Sequence, residues 1–69
     1  MDIRWEAGSE IRVSFDGDAA VISANREGLR SLARQLADLA GEAPGSHIHY
    51  DPYNALEEGS SELIVELAP

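Results

Sequence analysis

The sequence predicts an α+β fold: an antiparallel sheet of four to five strands, ordered β-β-β-α-β-β, with one amphipathic helix packed on one face. Three observations carry this. Ile11, Val13 and Phe15 alternate with Arg12, Ser14 and Asp16, the period-2 pattern of a half-buried strand. Leu29, Leu32, Ala33, Leu36, Ala37 and Leu39 recur at helical spacing, which makes one face of a helix apolar. The chain has 69 residues, so it forms a single small domain, 1–69, with room for one core.

Taken in order, Ile3 and Trp5 alternate with polar neighbours and predict a short first strand, and Ala7-Gly8-Ser9 follows as a turn. The second strand carries Ile11, Val13 and Phe15 inward. Asp16-Gly17 is then a two-residue hairpin signal of type I′, which would pair Phe15 with Asp18, Val13 with Ala20 and Ile11 with Ile22. Asn25 caps the helix, Glu27 sits favourably in its first turn, and Gly41 with Pro44 ends it. His47 to Asp51 predicts a strand with Ile48 and Tyr50 inward. Asp51-Pro52-Tyr53-Asn54 is turn chemistry, and Leu56 to Ser60 is a loop. Glu62 to Leu67 closes the sheet with Leu63, Val65 and Leu67 inward. One helix cannot cover both faces of such a sheet. The open face would carry Arg12, Ser14, Val21, Ser23, His47, His49, Glu62, Ile64 and Glu66.

Composition narrows the functions. Thirteen acidic residues face five arginines, with no lysine, for a formal charge of −8. That repels a phosphate backbone, so nucleic acid is not an expected partner, while a basic protein would be attracted and steered. Cysteine is absent, which excludes disulfides and thiolate chemistry and favours the cytoplasm. The N-terminal stretch has no apolar run of a signal peptide, and nothing approaches a membrane span. Without a lysine for a phosphate loop or Schiff base, or a Gly-x-Ser-x-Gly turn, and with so short a chain, no enzyme activity and no cofactor are expected. A domain of this size is marginally stable alone, so self-association is a second expectation.

His47-Ile48-His49-Tyr50-Asp51 is the most suggestive run. On a strand the two imidazoles point to one side, about 6.6 Å apart along the chain, while Asp51 lies about 13 Å from His47. A metal site on His47 and His49 would therefore need ligands from elsewhere, such as Glu62 or Glu66; the alternative is a solvated or hydrogen-bonded pair. Arg26, Arg30 and Arg34 form a stripe along the helix. It is either an anion-recognition site or a solvated face, with Arg34 paired to Asp38 and Arg26 offset by Glu27 or the Glu57-Glu58 loop. Glu57, Glu58, Glu62 and Glu66 make the C-terminal third acidic. They either imitate phosphates toward a basic protein or provide solubility and blunt an edge strand.

Three runs carry a resemblance. Ala24-Asn25-Arg26-Glu27-Gly28-Leu29-Arg30-Ser31-Leu32-Ala33 opens the helix, Gly45 to Ser60 contains His47-Ile48-His49-Tyr50-Asp51-Pro52-Tyr53-Asn54-Ala55-Leu56-Glu57-Glu58-Gly59, and Glu62 to Glu66 closes the chain. Together, over about residues 19 to 67, these resemble the immunity protein 32 family of bacterial polymorphic toxin systems. The resemblance implies a small cytoplasmic protein that binds a cognate toxin and blocks it, and the charge of −8 makes a basic toxin domain the expected partner. The candidate partner-binding residues are His47, His49, Asp51, Tyr53, Asn54, Glu57, Glu58 and Glu62, with Leu56 and Gly59 serving the fold. The alternatives are a homodimeric structural or regulatory domain, paired through the open face at Val21 and Ile64 or through an edge strand, and a metal-binding domain using His47 and His49.

Overall fold

A computed structural model describes residues 3–69. The element order is β1 (Ile11–Asp16), β2 (Ala19–Ala24), α1 (Arg26–Ala40), β3 (His47–Tyr50) and β4 (Leu63–Glu66). The strands form two separate two-stranded antiparallel ladders, β1–β2 and β3–β4, rather than one sheet of four to five. The core joins them: Ile11, Val13, Leu32, Leu39, Ile48, Tyr50 and Leu56 are buried together.

Two features replace the continuous sheet. The Ile3–Trp5 stretch forms no strand, and side chains of the helix hold its Arg4 carbonyl and the Glu6 N–H beyond it. Gln35 Nε2 donates to the Arg4 carbonyl at 2.8 Å, and Glu6 N–H donates to Ser31 Oγ at 2.9 Å. The second is the segment from Glu57 to Ser61, which lies along the edge of β1 without becoming a strand. Glu57 N–H donates to Ile11 O at 2.8 Å and Ser61 N–H to Val13 O at 2.9 Å, but Val13 N–H donates to the Ser60 hydroxyl at 3.2 Å. A side-chain oxygen stands where a strand would present a carbonyl, so the ladder does not propagate.

The hairpin register also differs from the sequence expectation. Phe15 pairs with Ala20, Val13 with Ile22 and Ile11 with Ala24, so the loop is Gly17-Asp18. Gly17 has φ +60° and no described non-glycine residue has positive φ, which fits a type II′ turn rather than type I′. The two-residue slip keeps every side chain on its expected face. Phe15 nevertheless stays 65% exposed, because a two-stranded ladder this far from the helix has nothing to cover it.

Asn25 caps α1 as its chemistry demands. Its Oδ1 accepts from Gly28 N–H at 2.8 Å and from Glu10 N–H at 3.0 Å. The buried face is not the one the leucines mark. Gly28, Ser31, Leu32, Gln35 and Leu39 point inward, while Leu29 and Leu36 are 51% and 41% exposed. The cause is the N-terminal segment, which draws Ser31 and Gln35 inward to satisfy its backbone. Among the described residues no helix is long and apolar enough to cross a membrane.

The arginine stripe serves this docking. Arg30 and Arg34 both reach Glu6, at 3.0 and 3.2 Å, and Arg30 lies 3.6 Å from Glu27. Glu6 thus takes the place expected of Asp38 beside Arg34. Hydrogen bonds from Arg30, against a smaller opposing cost of desolvation and with help from Arg34, lower the Glu6 carboxyl below its ordinary value. A lowered native value contributes stability that is present above the ordinary carboxylate range and lost as pH falls through the native value. Glu6→Gln is therefore expected to flatten the acid limb of an unfolding titration followed by Trp5 fluorescence. An acid limb unchanged by the substitution would contradict the role given to Glu6.

Candidate functional site

The β3–β4 pairing gathers residues that lie far apart in the chain. His47 stands opposite Glu66 and His49 opposite Ile64. Alternation sends Ile48 and Tyr50 into the core and leaves both histidines exposed on the outer side. Glu62 joins them there: its Oε2 lies 3.4 Å from His49 Nε2, an ion pair whenever that imidazole is protonated. His47, His49, Glu62, Ile64 and Glu66 are all exposed, as expected of an open face. Arg12, Ser14, Val21 and Ser23 are exposed as well, but they belong to the other ladder.

After Tyr50 the chain makes a locked turn. Asp51 Oδ1 accepts from Tyr53 N–H at 2.9 Å and from Asn54 N–H at 3.0 Å. Asn54 answers: its Oδ1 accepts from Asp51 N–H at 3.0 Å and its Nδ2 donates to His49 O at 2.9 Å. These are the local bonds that Asx side chains make in turns. Asp51 and Asn54 therefore hold the turn in shape, and the turn presents Tyr53, which is 99% exposed. An aromatic ring held fully in water on a rigid turn loses little conformational freedom when a partner covers it. Leu56 then plugs the core, as expected.

Glu57 and Glu58 follow on the segment beside β1. Arg12 Nη1 donates to the Glu58 carbonyl at 2.9 Å, so an arginine of β1, not Arg26, supports this loop. Gly59 has φ +86° and completes the bend. Asp51, Glu57, Glu58, Glu62 and Glu66 put five carboxylates on the stretch that runs from the end of β3 through β4.

Beside the turn lies a cleft of about 300 Å³, lined by Ile3, Trp5, Ile48, His49, Tyr50, Asn54 and Ala55. Trp5 and Tyr50 meet edge to face, with centroids 6.0 Å apart and planes at 71°. Sequence reasoning reaches His49 and Asn54 but misses Ile3, Trp5 and Ala55. Their part depends on the N-terminal segment docking against β3, which no local pattern signals. A second depression of about 310 Å³, lined among others by Glu10, Arg12, Ser23 and Glu57, is wide open and polar.

A metal reading finds no third ligand. Among the described residues no group of three His, Cys, Asp or Glu side chains is arranged to hold an ion. The candidates thus fall into three neighbouring groups: His47, His49 and Glu62 on the ladder, Asp51, Tyr53 and Asn54 at the turn, and Glu57 and Glu58 on the segment after it. These residues present carboxylates, imidazoles and one projecting ring beside the half-apolar cleft. A family model described as Immunity protein 32 matches residues 20–68, which takes in β2, α1, β3, the turn and β4. No curated protein and no solved structure matches the chain.

Proposed function

The chain belongs to the Immunity protein 32 family, and from that premise we propose that it neutralises a cognate bacterial toxin by binding and occluding it. The observation that carries the reading is the family match over residues 20–68, which spans all eight candidate contact residues. Stoichiometric binding, not catalysis, does the work. The toxin surface it fits is basic, because the free chain carries a charge of −8. The anionic stretch steers the approach, Tyr53 meets the partner first, and the cleft between Trp5 and His49 receives an apolar side chain. Buried aromatic anchors within a polar rim are where binding energy concentrates. The encounter takes place in the cytoplasm, where a toxin-producing cell needs protection.

Capture by the tagged chain from lysate of its source bacterium, at low salt, tests this. The expected result is one stoichiometric partner carrying a basic toxin domain. Its association rate should fall on the order of tenfold between low and physiological salt. Triple reversal of Glu57, Glu58 and Glu62 to lysine should slow association by a similar factor, whereas Asp16→Lys on the far hairpin should not. A salt-independent rate would contradict steering, and an acidic or absent partner would contradict the proposed surface.

A further inference from the structure

The outer edge of the β1–β2 hairpin, on β2, has no backbone partner among the described residues. Asn25 N–H donates to Glu10 O, which extends the register and fixes its phase. The mutually bonded pairs are then Arg12 with Ser23, Ser14 with Val21 and Asp16 with Ala19. It follows that Ala20, Ile22 and Ala24 turn their N–H and C=O groups away from β1. No described residue meets them. On β1 the outward groups Ile11 O, Val13 O and Val13 N–H are met by Glu57, Ser61 and Ser60, so β2 is the edge left wholly open.

That edge lacks the usual protection. Ala19–Ala24 reads AAVISA, with no charge, no proline and no bulge in its register. It also borders uncovered apolar surface. Ile22 is 45% exposed on the side of the ladder that carries Ile11 and Val13, and α1, which follows β2 after Asn25, exposes Leu29, Ala33, Leu36 and Ala37 on one side. An isolated two-stranded ladder is marginal in water and gains most from added strands.

We propose that β2 is the edge through which two copies of this chain pair, antiparallel, into a four-stranded sheet ordered β1-β2-β2-β1. Outward-facing groups meet only in even registers, and the strand's own self-complementarity selects one of them. With Ile22 opposite Ile22 on the two-fold axis, Ala20 faces Ala24, and the turn residue Asp18 comes to the strand end where α1 of the second copy begins at Arg26. Neither Asp18 nor Arg26 has an ion-pair partner among the described residues. The pairing supplies about six backbone hydrogen bonds. A two-fold axis perpendicular to the sheet puts both helices on the same face, so their exposed leucine stripes approach across it. The strand itself is uncharged, and the charge of −8 on each copy acts only at longer range. Dimerisation is therefore expected to strengthen as salt is raised, opposite in sign to capture of a basic partner.

Sedimentation equilibrium of the chain alone, from micromolar to millimolar, tests this independently of any toxin. The expected mass rises from 7.4 kDa toward twice that value. Ile22→Pro removes an N–H that makes no bond inside the monomer, and should raise the dissociation constant on the order of a hundredfold. Asp18→Arg should weaken the dimer by up to about tenfold, and adding Arg26→Glu should restore it. That swap keeps the test decisive if the proline variant does not fold. Val21→Asp, on the opposite face, should leave the dimer intact. A mass of 7.4 kDa at every concentration overturns the proposal and leaves the edge to a strand of another protein. A dimer that survives Ile22→Pro, or that breaks with Val21→Asp or Ile64→Asp, overturns it as well.

Discussion

Replacing Tyr50 with alanine is expected to leave the chain largely unfolded under growth conditions. Tyr50 is the largest fully buried side chain. Its ring packs against Trp5, and its hydroxyl donates to Gln35 Oε1 at 2.8 Å, while Gln35 Nε2 holds the Arg4 carbonyl. One residue thus joins β3, α1 and the N-terminal segment. Truncating a buried aromatic to alanine costs about 3–5 kcal/mol. A domain of this size has roughly 3–10 kcal/mol in total. Tyr50→Phe keeps the ring and removes only the hydroxyl, leaving Gln35 Oε1 buried without a donor, at a cost of about 1–3 kcal/mol. Burial also raises the Tyr50 phenol above its ordinary value. That contribution is fully present below the ordinary phenol range and is lost as pH rises through the native value, so alkaline unfolding should shift in Tyr50→Phe. Urea titrations of both variants check the order; a phenylalanine variant as unstable as the alanine one would contradict the division between ring and hydroxyl.

Gly28→Ala is expected to destabilise, although alanine is the better helix former by about 1 kcal/mol. A Cβ at position 28 would lie 2.8 Å from Glu10 O, 2.9 Å from Ile11 Cγ1 and 3.1 Å from Asn25 Oδ1. None of these can retreat freely. Glu10 O accepts from Asn25 N–H, Ile11 is fully buried, and Asn25 Oδ1 is the helix cap. Overpacking of this kind costs about 1–3 kcal/mol, enough to outweigh the gain in propensity. The net loss of up to about 2 kcal/mol should lower the melting temperature by up to about 10 °C, and Gly28→Val by more. A melting temperature unchanged or raised in Gly28→Ala would show that the helix stands farther from β1 than the geometry requires.

Short-range chemistry was the legible part. The Asn25 cap, the alternation in β1, β3 and β4, and the turn at Asp51 each rest on neighbours a few residues apart. The hairpin register was less so, since a slip of two residues preserves the apolar pattern and only the turn's dihedral demand distinguishes Gly17-Asp18 from Asp16-Gly17. The orientation of α1 was not legible, because leucine spacing cannot reveal that Ser31 and Gln35 are called inward by backbone groups at Glu6 and Arg4. The same docking builds the Ile3–Trp5 wall of the cleft. Of the candidate residues, His47 to Glu62 are legible as one segment, and the β3–β4 pairing brings Glu62 beside His49. That Asp51 and Asn54 bond within the turn, leaving Tyr53 as its projecting group, is not written in the order of the residues alone.

Protection of living cells is the most direct test of toxin neutralisation. The partner captured by this chain would be expressed in a sensitive host with and without it, and growth followed. The account predicts that the partner alone arrests growth, that co-expression of the intact chain restores it, and that the triple reversal of Glu57, Glu58 and Glu62 to lysine restores it less well. A partner that is harmless alone, or whose toxicity the chain leaves untouched, would contradict it.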